Sequence, residues 1–167
     1  MGKLIVLEGT DGSGKSTQFH LLTQRLEAEG VAFRKLVFPQ YSEPSSALIR
    51  MYLNGEFGRH PGDVNAYAAT AFYAVDRYAS FQKVWRKEYE AGGLILSDRY
   101  TTSNAVHQCS KLPQEQWEEY LHWLFDYEFH LLGLPAPDSV IYLQVDPAVS
   151  QRLMTQRYHG DESKKDV

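Results

Sequence analysis

The sequence predicts an α/β fold, a doubly wound parallel sheet with helices on both faces, and three observations carry that reading. The apolar run Leu4-Ile5-Val6-Leu7 leads directly into Gly9-Thr10-Asp11-Gly12-Ser13-Gly14-Lys15-Ser16, which fits the spacing G-x-x-x-x-G-K-[ST] of a phosphate-wrapping loop between a strand and a helix. A second strand pattern follows that helix, and a strand, helix, strand unit with a glycine-rich first turn implies a right-handed crossover between parallel strands. A third stretch, Leu94-Ile95-Leu96, delivers Ser97-Asp98-Arg99-Tyr100 to its C-terminal end, the edge at which open parallel sheets bind ligands.

The elements follow in order. After the loop, Phe19, Leu21, Leu22 and Leu26 recur at helical spacing and Gly30 sits at a C-capping position, giving a helix over residues 15–29. Residues 33–38 read as the second strand, stopped by Pro39. Residues 45–53 form a short helical pattern with Ser45 or Ser46 as its cap. A loop with Asn54-Gly55, Gly58 and Pro61-Gly62 precedes a long helix, from a cap at Asp63 to about Ala91, ended by Gly92-Gly93. Its length argues for packing on several partners or on another copy of the chain. The third strand comes next, then a helix opened by Pro113 and reaching about Leu132. Residues 139–145 read as a fourth strand, Asp146-Pro147 starts another helix, and the chain from Tyr158 onward is polar without a hydrophobic period.

The loop composition has a chemical reason. Backbone N–H groups can close on anionic oxygens only where no Cβ intrudes, and the glycines at 9, 12 and 14 clear that space. The helix beginning near Lys15 adds its unpaired N–H groups and positive dipole end. On this reading Lys15 reaches the β and γ phosphates and the Ser16 hydroxyl ligates Mg²⁺. The alternative is a tight turn with a solvated lysine, against which the strand before and the helix after both speak.

Asp98, at the end of a buried strand, is the natural partner of Ser16 for Mg²⁺, and Arg99 offers a planar fork for a phosphate. The alternative for this pair is an ion pair at a strand end. Tyr73 and Arg77 share one helix face, so a ring could stack on a base while the guanidinium reads its edge; packing with a solvated head is the competing reading.

Composition bounds the remaining possibilities. With 167 residues, 43% of them hydrophobic, the chain reads as one domain with a sizeable core. A net charge of −4 and dispersed lysines and arginines point away from a nucleic-acid-coating surface. The single Cys109 excludes an internal disulfide and suits a reducing cytosol. No secretory pattern opens the chain, no run approaches a membrane span, and Val6 stands where a myristoylation pattern needs Ser or Thr. The expectation is a cytoplasmic protein without nucleic-acid or membrane partners.

Together these residues resemble the thymidylate kinases, P-loop nucleoside monophosphate kinases. The likeness runs through Glu8 to Gln18, then Phe38-Pro39-Gln40-Tyr41, then the helix with Tyr73 and Arg77, then Asp98-Arg99-Tyr100 with Ser103, and ends in the strand Ile141-Tyr142-Leu143. It implies transfer of the γ-phosphoryl of ATP to dTMP. The loop residues Gly9, Asp11, Gly12, Ser13, Gly14, Lys15, Ser16 and Thr17 would hold the donor, with Ser16 and Asp98 on Mg²⁺. Asp11 matches a loop carboxylate that also faces the acceptor sugar, and Tyr41, Arg50 and Arg99 would hold the acceptor phosphate. Tyr73 would stack on thymine, Arg77 would read the base, Asn104 would meet its polar edge, and Ser103, five positions after Asp98, would be a further substrate-binding residue.

The departures from the family pattern are specific. Tyr73 replaces a usual phenylalanine, Gln40 an often charged residue, and His107 an aromatic that disfavours a 2′-hydroxyl. Gly12 stands where some members carry an arginine, so the resemblance assigns that charge to a lid over residues 152–167, with Arg157 as the catalytic arginine and Arg152 on the donor adenine. The family's last strand and helix are not matched. A homodimer is implied. A deoxynucleoside kinase and a non-catalytic nucleotide-binding module are the competing readings.

Overall fold

The computed structural model describes residues 1–157, the side chains of residues 61 and 157 excepted. Strand β1 (Lys3–Glu8) passes through the glycine loop into α1 (Lys15–Ala28), and β2 (Arg34–Val37) follows. After a 3-10 turn come α2 (Ala47–Leu53), α3 (Ala66–Ser80), α4 (Arg86–Glu90) and β3 (Leu94–Asp98). Then follow α5 (Thr101–Cys109), α6 (Trp117–Phe125), β4 (Ser139–Tyr142) and α7 (Pro147–Arg157). Among the described residues the strands form one parallel four-stranded sheet in the order β2-β3-β1-β4.

Both faces of this sheet are covered, as the apolar strands require. Successive side chains of a strand point to opposite faces, and β1 divides accordingly. Leu4 and Val6 join Ile95, Leu36, Trp85 and Tyr100 in one core, whereas Ile5 and Leu7 pack with Leu96, Phe19, Leu22 and Leu26 of α1 in another. A third cluster, around Tyr120 and Leu124, ties α6 to α3 and α5.

Register places the chemistry. Leu7 lies opposite Asp98, and the Arg99 amide donates to the Leu7 carbonyl at 3.0 Å. The loop leaving β1 and the Asp98-Arg99 turn leaving β3 therefore meet at one sheet edge. Among the described residues β4 pairs only with β1, and its Val140, Ile141 and Tyr142 are exposed.

Several boundaries differ from the sequence reading. The long helix is α3, a π-helical turn over Phe81–Trp85, and α4. Its cap is Asn65, whose side chain accepts from the Ala68 amide at 2.9 Å, while Asp63 accepts from the His60 amide and closes a short 3-10 turn. Ser46 is the N-cap residue of α2 but makes no side-chain capping bond; its Oγ donates to the Glu43 carbonyl, and Ser45 Oγ donates to Asp76. The helix expected over residues 113–132 is a 3-10 turn, α6, and a second π-helical turn over Asp126–Leu131. The fourth strand stops at Tyr142 rather than Val145.

Helix α5 has no counterpart in the sequence reading. Of its inward residues Thr101, Asn104 and Gln108 are polar and only Cys109 is apolar, so no apolar period announces it. Among the described residues no helix is long and apolar enough to cross a membrane.

Candidate active site

The loop after β1 folds as a cradle. Gly12 and Gly14 adopt φ of 78° and 79°, a left-handed conformation that glycine takes without a Cβ clash. A Cβ on Gly12 would lie 2.3 Å from the Ser150 carbonyl oxygen and 3.0 Å from Met154 Cγ, so α7 packs directly against the loop there. Glycine at this position therefore has a packing reason besides the absence of an arginine. The Ser13 hydroxyl is buried without a hydrogen-bond partner among the described residues. Helix α1 begins at Lys15 with no side-chain cap and no acidic residue in its first turn, which leaves its first N–H groups open to an anion.

Beside the cradle lies a cavity of about 170 Å³, lined by residues 10–16 together with Tyr41, Asp98 and Arg99. Lys15 is buried in it and its Nζ pairs with Asp98 Oδ1. Ser16 and Asp98 therefore share one small polar space. Two hard oxygen donors next to a phosphate cradle fit magnesium, which binds through few protein ligands and completes its shell from phosphates and water. Among the described residues there is no cluster of three or more His, Cys, Asp or Glu to hold a metal independently.

A larger cavity of about 540 Å³ adjoins it and shares Asp11, Phe38, Pro39, Tyr41 and Arg99 with the first. Arg99, the one described non-glycine residue at positive φ (67°), stands at the junction. Its backbone is pinned by the amide bond to Leu7 and by Ser97 Oγ donating to its carbonyl at 2.6 Å. Such strain persists where surrounding contacts fix it. Its Nη2 donates to Asp11 Oδ1 at 2.5 Å, and its Nη1 lies 3.4 Å from Ser103 Oγ and 3.2 Å from His107 Nε2.

Arginine can only donate, so His107 Nε2 accepts and the ring is neutral in this contact. Loss of hydration against the cavity wall, and then the Arg99 charge, hold the His107 pKa below its ordinary value. Glu8, almost fully buried, lies behind this group; it accepts from Ser103 Oγ at 2.7 Å and from the Gly9 amide at 3.0 Å.

Deeper in the larger cavity are Tyr73, Arg77 and Asn104. Burial drives the Tyr73 hydroxyl well above the usual tyrosine range, so it stays protonated. Arg77 is 3% exposed and pairs with the fully buried Glu128, Nε to Oε2 at 2.7 Å and Nη2 to Oε1 at 2.5 Å.

The structure thus brings Asp11, Tyr41, Tyr73, Arg77, Arg99, Ser103, Asn104 and His107 to one cavity wall. Arg50 lies outside both cavities; its Nη1 donates to the carbonyls of Tyr41 and Glu43 and to Ser46 Oγ, fastening the loop that carries Tyr41. Thr17 and Arg152 are exposed and line neither cavity. The backbone of Arg157 ends α7, but its side chain and the rest of the expected lid over 158–167 lie outside the described residues.

The sequence reading missed Glu8, Asp76 and Glu128 as site-forming residues. Asp76, 1% exposed, accepts from the Gln40 amide at 2.8 Å and from Ser45 Oγ at 2.6 Å, holding the Pro39–Tyr41 loop against α3. A carboxylate inside an apolar helical stretch, as at Tyr127-Glu128-Phe129, is a signal that could have found one of them, because a buried charge requires a partner.

Comparison with known proteins agrees with this geometry. The family profile described as thymidylate kinase matches residues 7–167. The thymidylate kinase of Mycobacterium tuberculosis is 32% identical over 160 residues, covering 94% of this chain and 71% of that protein. A probable thymidylate kinase of Methanococcoides burtonii is 31% identical, with 98% and 74% covered. The solved structure of thymidylate kinase from Candida albicans superposes with a TM-score of 0.65 at 27% identity, covering 90% of this chain and 66% of that one. The chain thus spans roughly two thirds to three quarters of the length of these relatives. The chain belongs to the thymidylate kinase family of phosphotransferase enzymes.

Proposed function

We propose that the protein transfers the γ-phosphoryl group of ATP to the 5′-phosphate of dTMP, giving dTDP and ADP and so feeding dTTP synthesis. The observation that carries this reading is the common wall of the two cavities, where Asp11, Tyr41 and Arg99 border both the phosphate cradle and the larger pocket. An oxygen of the acceptor phosphate attacks the γ phosphorus, the bond from that phosphorus to the β–γ bridging oxygen breaks, and ADP leaves. No general base is needed, because the attacking oxygen is already anionic.

The protein's part is positioning and charge neutralisation. The cradle amides and Lys15 hold the donor phosphates. Arg99 holds the acceptor phosphate, with Asp11 and Ser103 holding Arg99 in turn. Tyr73 stacks on the thymine while Arg77 and Asn104 read its edge. Arg50 acts through the Tyr41 loop that it fastens. Magnesium held by Ser16 and Asp98 with the donor phosphates would neutralise charge developing on the transferred group.

Arg157 is proposed as the further cation on that group, and Arg152 as a contact to the donor base. A homodimer built on the α3 face, where Val75 and Tyr78 are exposed, completes the reading; the buried, unpaired Cys109 suits a cytoplasmic setting.

A panel of dTMP, dUMP, UMP, dCMP and dGMP with ATP and Mg²⁺ tests the reaction, and dTMP should be turned over fastest. Phosphorylation of thymidine but not of dTMP would overturn the proposal. Tight binding of dTMP and ADP without turnover would reduce it to a nucleotide-binding module.

A further inference from the structure

We propose that Glu128 is a positioning residue that sets the hydrogen-bond polarity of the base-reading wall and so selects a 4-keto pyrimidine against a 4-amino one. The inference rests on the dTMP reading and extends it to the class of base accepted.

Glu128 is fully buried on the π-helical turn between α6 and β4. Both of its oxygens are occupied. Oε2 accepts from Arg77 Nε and Thr101 Oγ1, each at 2.7 Å, while Oε1 accepts from Arg77 Nη2 at 2.5 Å and Asn104 Nδ2 at 3.3 Å. The carboxylate thus joins one residue of α3 to two of α5.

The consequence follows from the inventory of donors and acceptors. Nε and Nη2 of Arg77 face Glu128, so the Nη1 end is left for the cavity that Arg77 lines, and it can only donate. The Asn104 amide nitrogen donates to Glu128 Oε1 and, at 3.4 Å, to the Thr70 carbonyl. Both of those partners can only accept, so the amide cannot be flipped without facing oxygen to oxygen. Asn104 therefore offers its oxygen.

A donor beside an acceptor complements the C4 carbonyl and N3–H of thymine or uracil. Cytosine presents the reverse, an amino donor at C4 and a bare N3. The selection is made by a residue that need not touch the base.

The test compares the wild-type chain with Glu128→Gln by calorimetric titration of dTMP and dCMP, with a thermal melt to establish folding. A glutamine is nearly isosteric but carries donors of its own and no charge, so it frees Asn104 to turn and Arg77 to move. The expected result is a fall of about tenfold or more in the preference for dTMP over dCMP, the range associated with losing a buried hydrogen-bond pattern. Equal weakening toward both nucleotides, the mark of a merely structural role, would overturn the proposal.

If the variant does not fold, a crystal structure of the wild-type dTMP complex decides. Arg77 should keep Glu128 through Nε and Nη2 and meet the base through Nη1; an Arg77 swung off Glu128 to reach the base would overturn the proposal. Wild-type chain that binds neither nucleotide would remove the dTMP reading and this inference together. Wild-type preference for dTMP that survives Glu128→Gln would remove this inference alone.

Discussion

Lys15 and Asp98 neutralise each other in a buried pair within the cavity beside the cradle. Replacing Lys15 with Met removes a preorganised cation from the donor side but leaves the larger cavity unchanged, since Lys15 does not line it. The expected outcome is a loss of about a hundred- to a thousandfold in kcat, with dTMP affinity retained, measured by steady-state kinetics beside calorimetry.

His107 gives a prediction in pH. Its pKa in the folded protein lies below the ordinary 6.5, so the unfolded chain takes up the proton first as pH falls. Its contribution to stability is complete above about 6.5 and is lost as pH drops through the lower folded value. An NMR titration should place the His107 midpoint below 6.5, and His107→Gln should reduce the loss of melting temperature between pH 7.5 and 5. Because the Arg99 charge is one cause of the shift, Arg99→Ala should move the midpoint upward.

At the scale of elements, the loop after β2 and helix α5 do most to shape the larger cavity. The loop holding Tyr41 starts from Phe38, buried in the sheet core, and Asp76 on α3 secures the rest through Gln40 and Ser45. Asp76→Ala leaves a partly buried amide and a partly buried hydroxyl without their acceptor, which costs about 1–3 kcal/mol. Urea denaturation should show that loss. The KM values for dTMP and for ATP should both rise several-fold, because Phe38, Pro39 and Tyr41 of this loop line both cavities. Helix α5 inverts the usual logic of a helix. Its cavity-facing side is polar, with Ser103, Asn104 and Gln108; Glu8 and Glu128 hold it through Thr101, Thr102 and Ser103, while Ala105 and Cys109 pack on the α6 cluster.

At the scale of the molecule, the sheet brings two glycine- and arginine-bearing turns to one edge by register alone, and the helices then enclose two cavities with a shared wall. The exposed Val75, Tyr78 and Val84 on the long helical stretch fit a face that packs on a second copy. Light scattering should return twice the 19.1 kDa chain mass, and the double substitution Val75→Glu with Tyr78→Glu should return the monomer mass. A monomeric wild type would refute the dimer without touching the catalytic proposal.

What the sequence determined by itself was whatever is written in neighbouring residues. The cradle is legible because Gly12, Gly14 and Lys15 act through backbone geometry within one short loop. The strand and helix order is legible because apolar periods are local, and Asp98-Arg99 could be placed because a buried parallel strand must deliver its last residues to the ligand edge. Tertiary structure alone decided the properties that belong to pairs. It set Arg77 against Glu128, 51 residues away, laid the Arg50 guanidinium on the carbonyls of Tyr41 and Glu43, and gave Asp76 its hold on Ser45. It also made a helix of residues 101–109, whose polar inner face gives no periodic signal. A charge's sign and reach are encoded where it stands, but its orientation and desolvation depend on groups that only folding brings near.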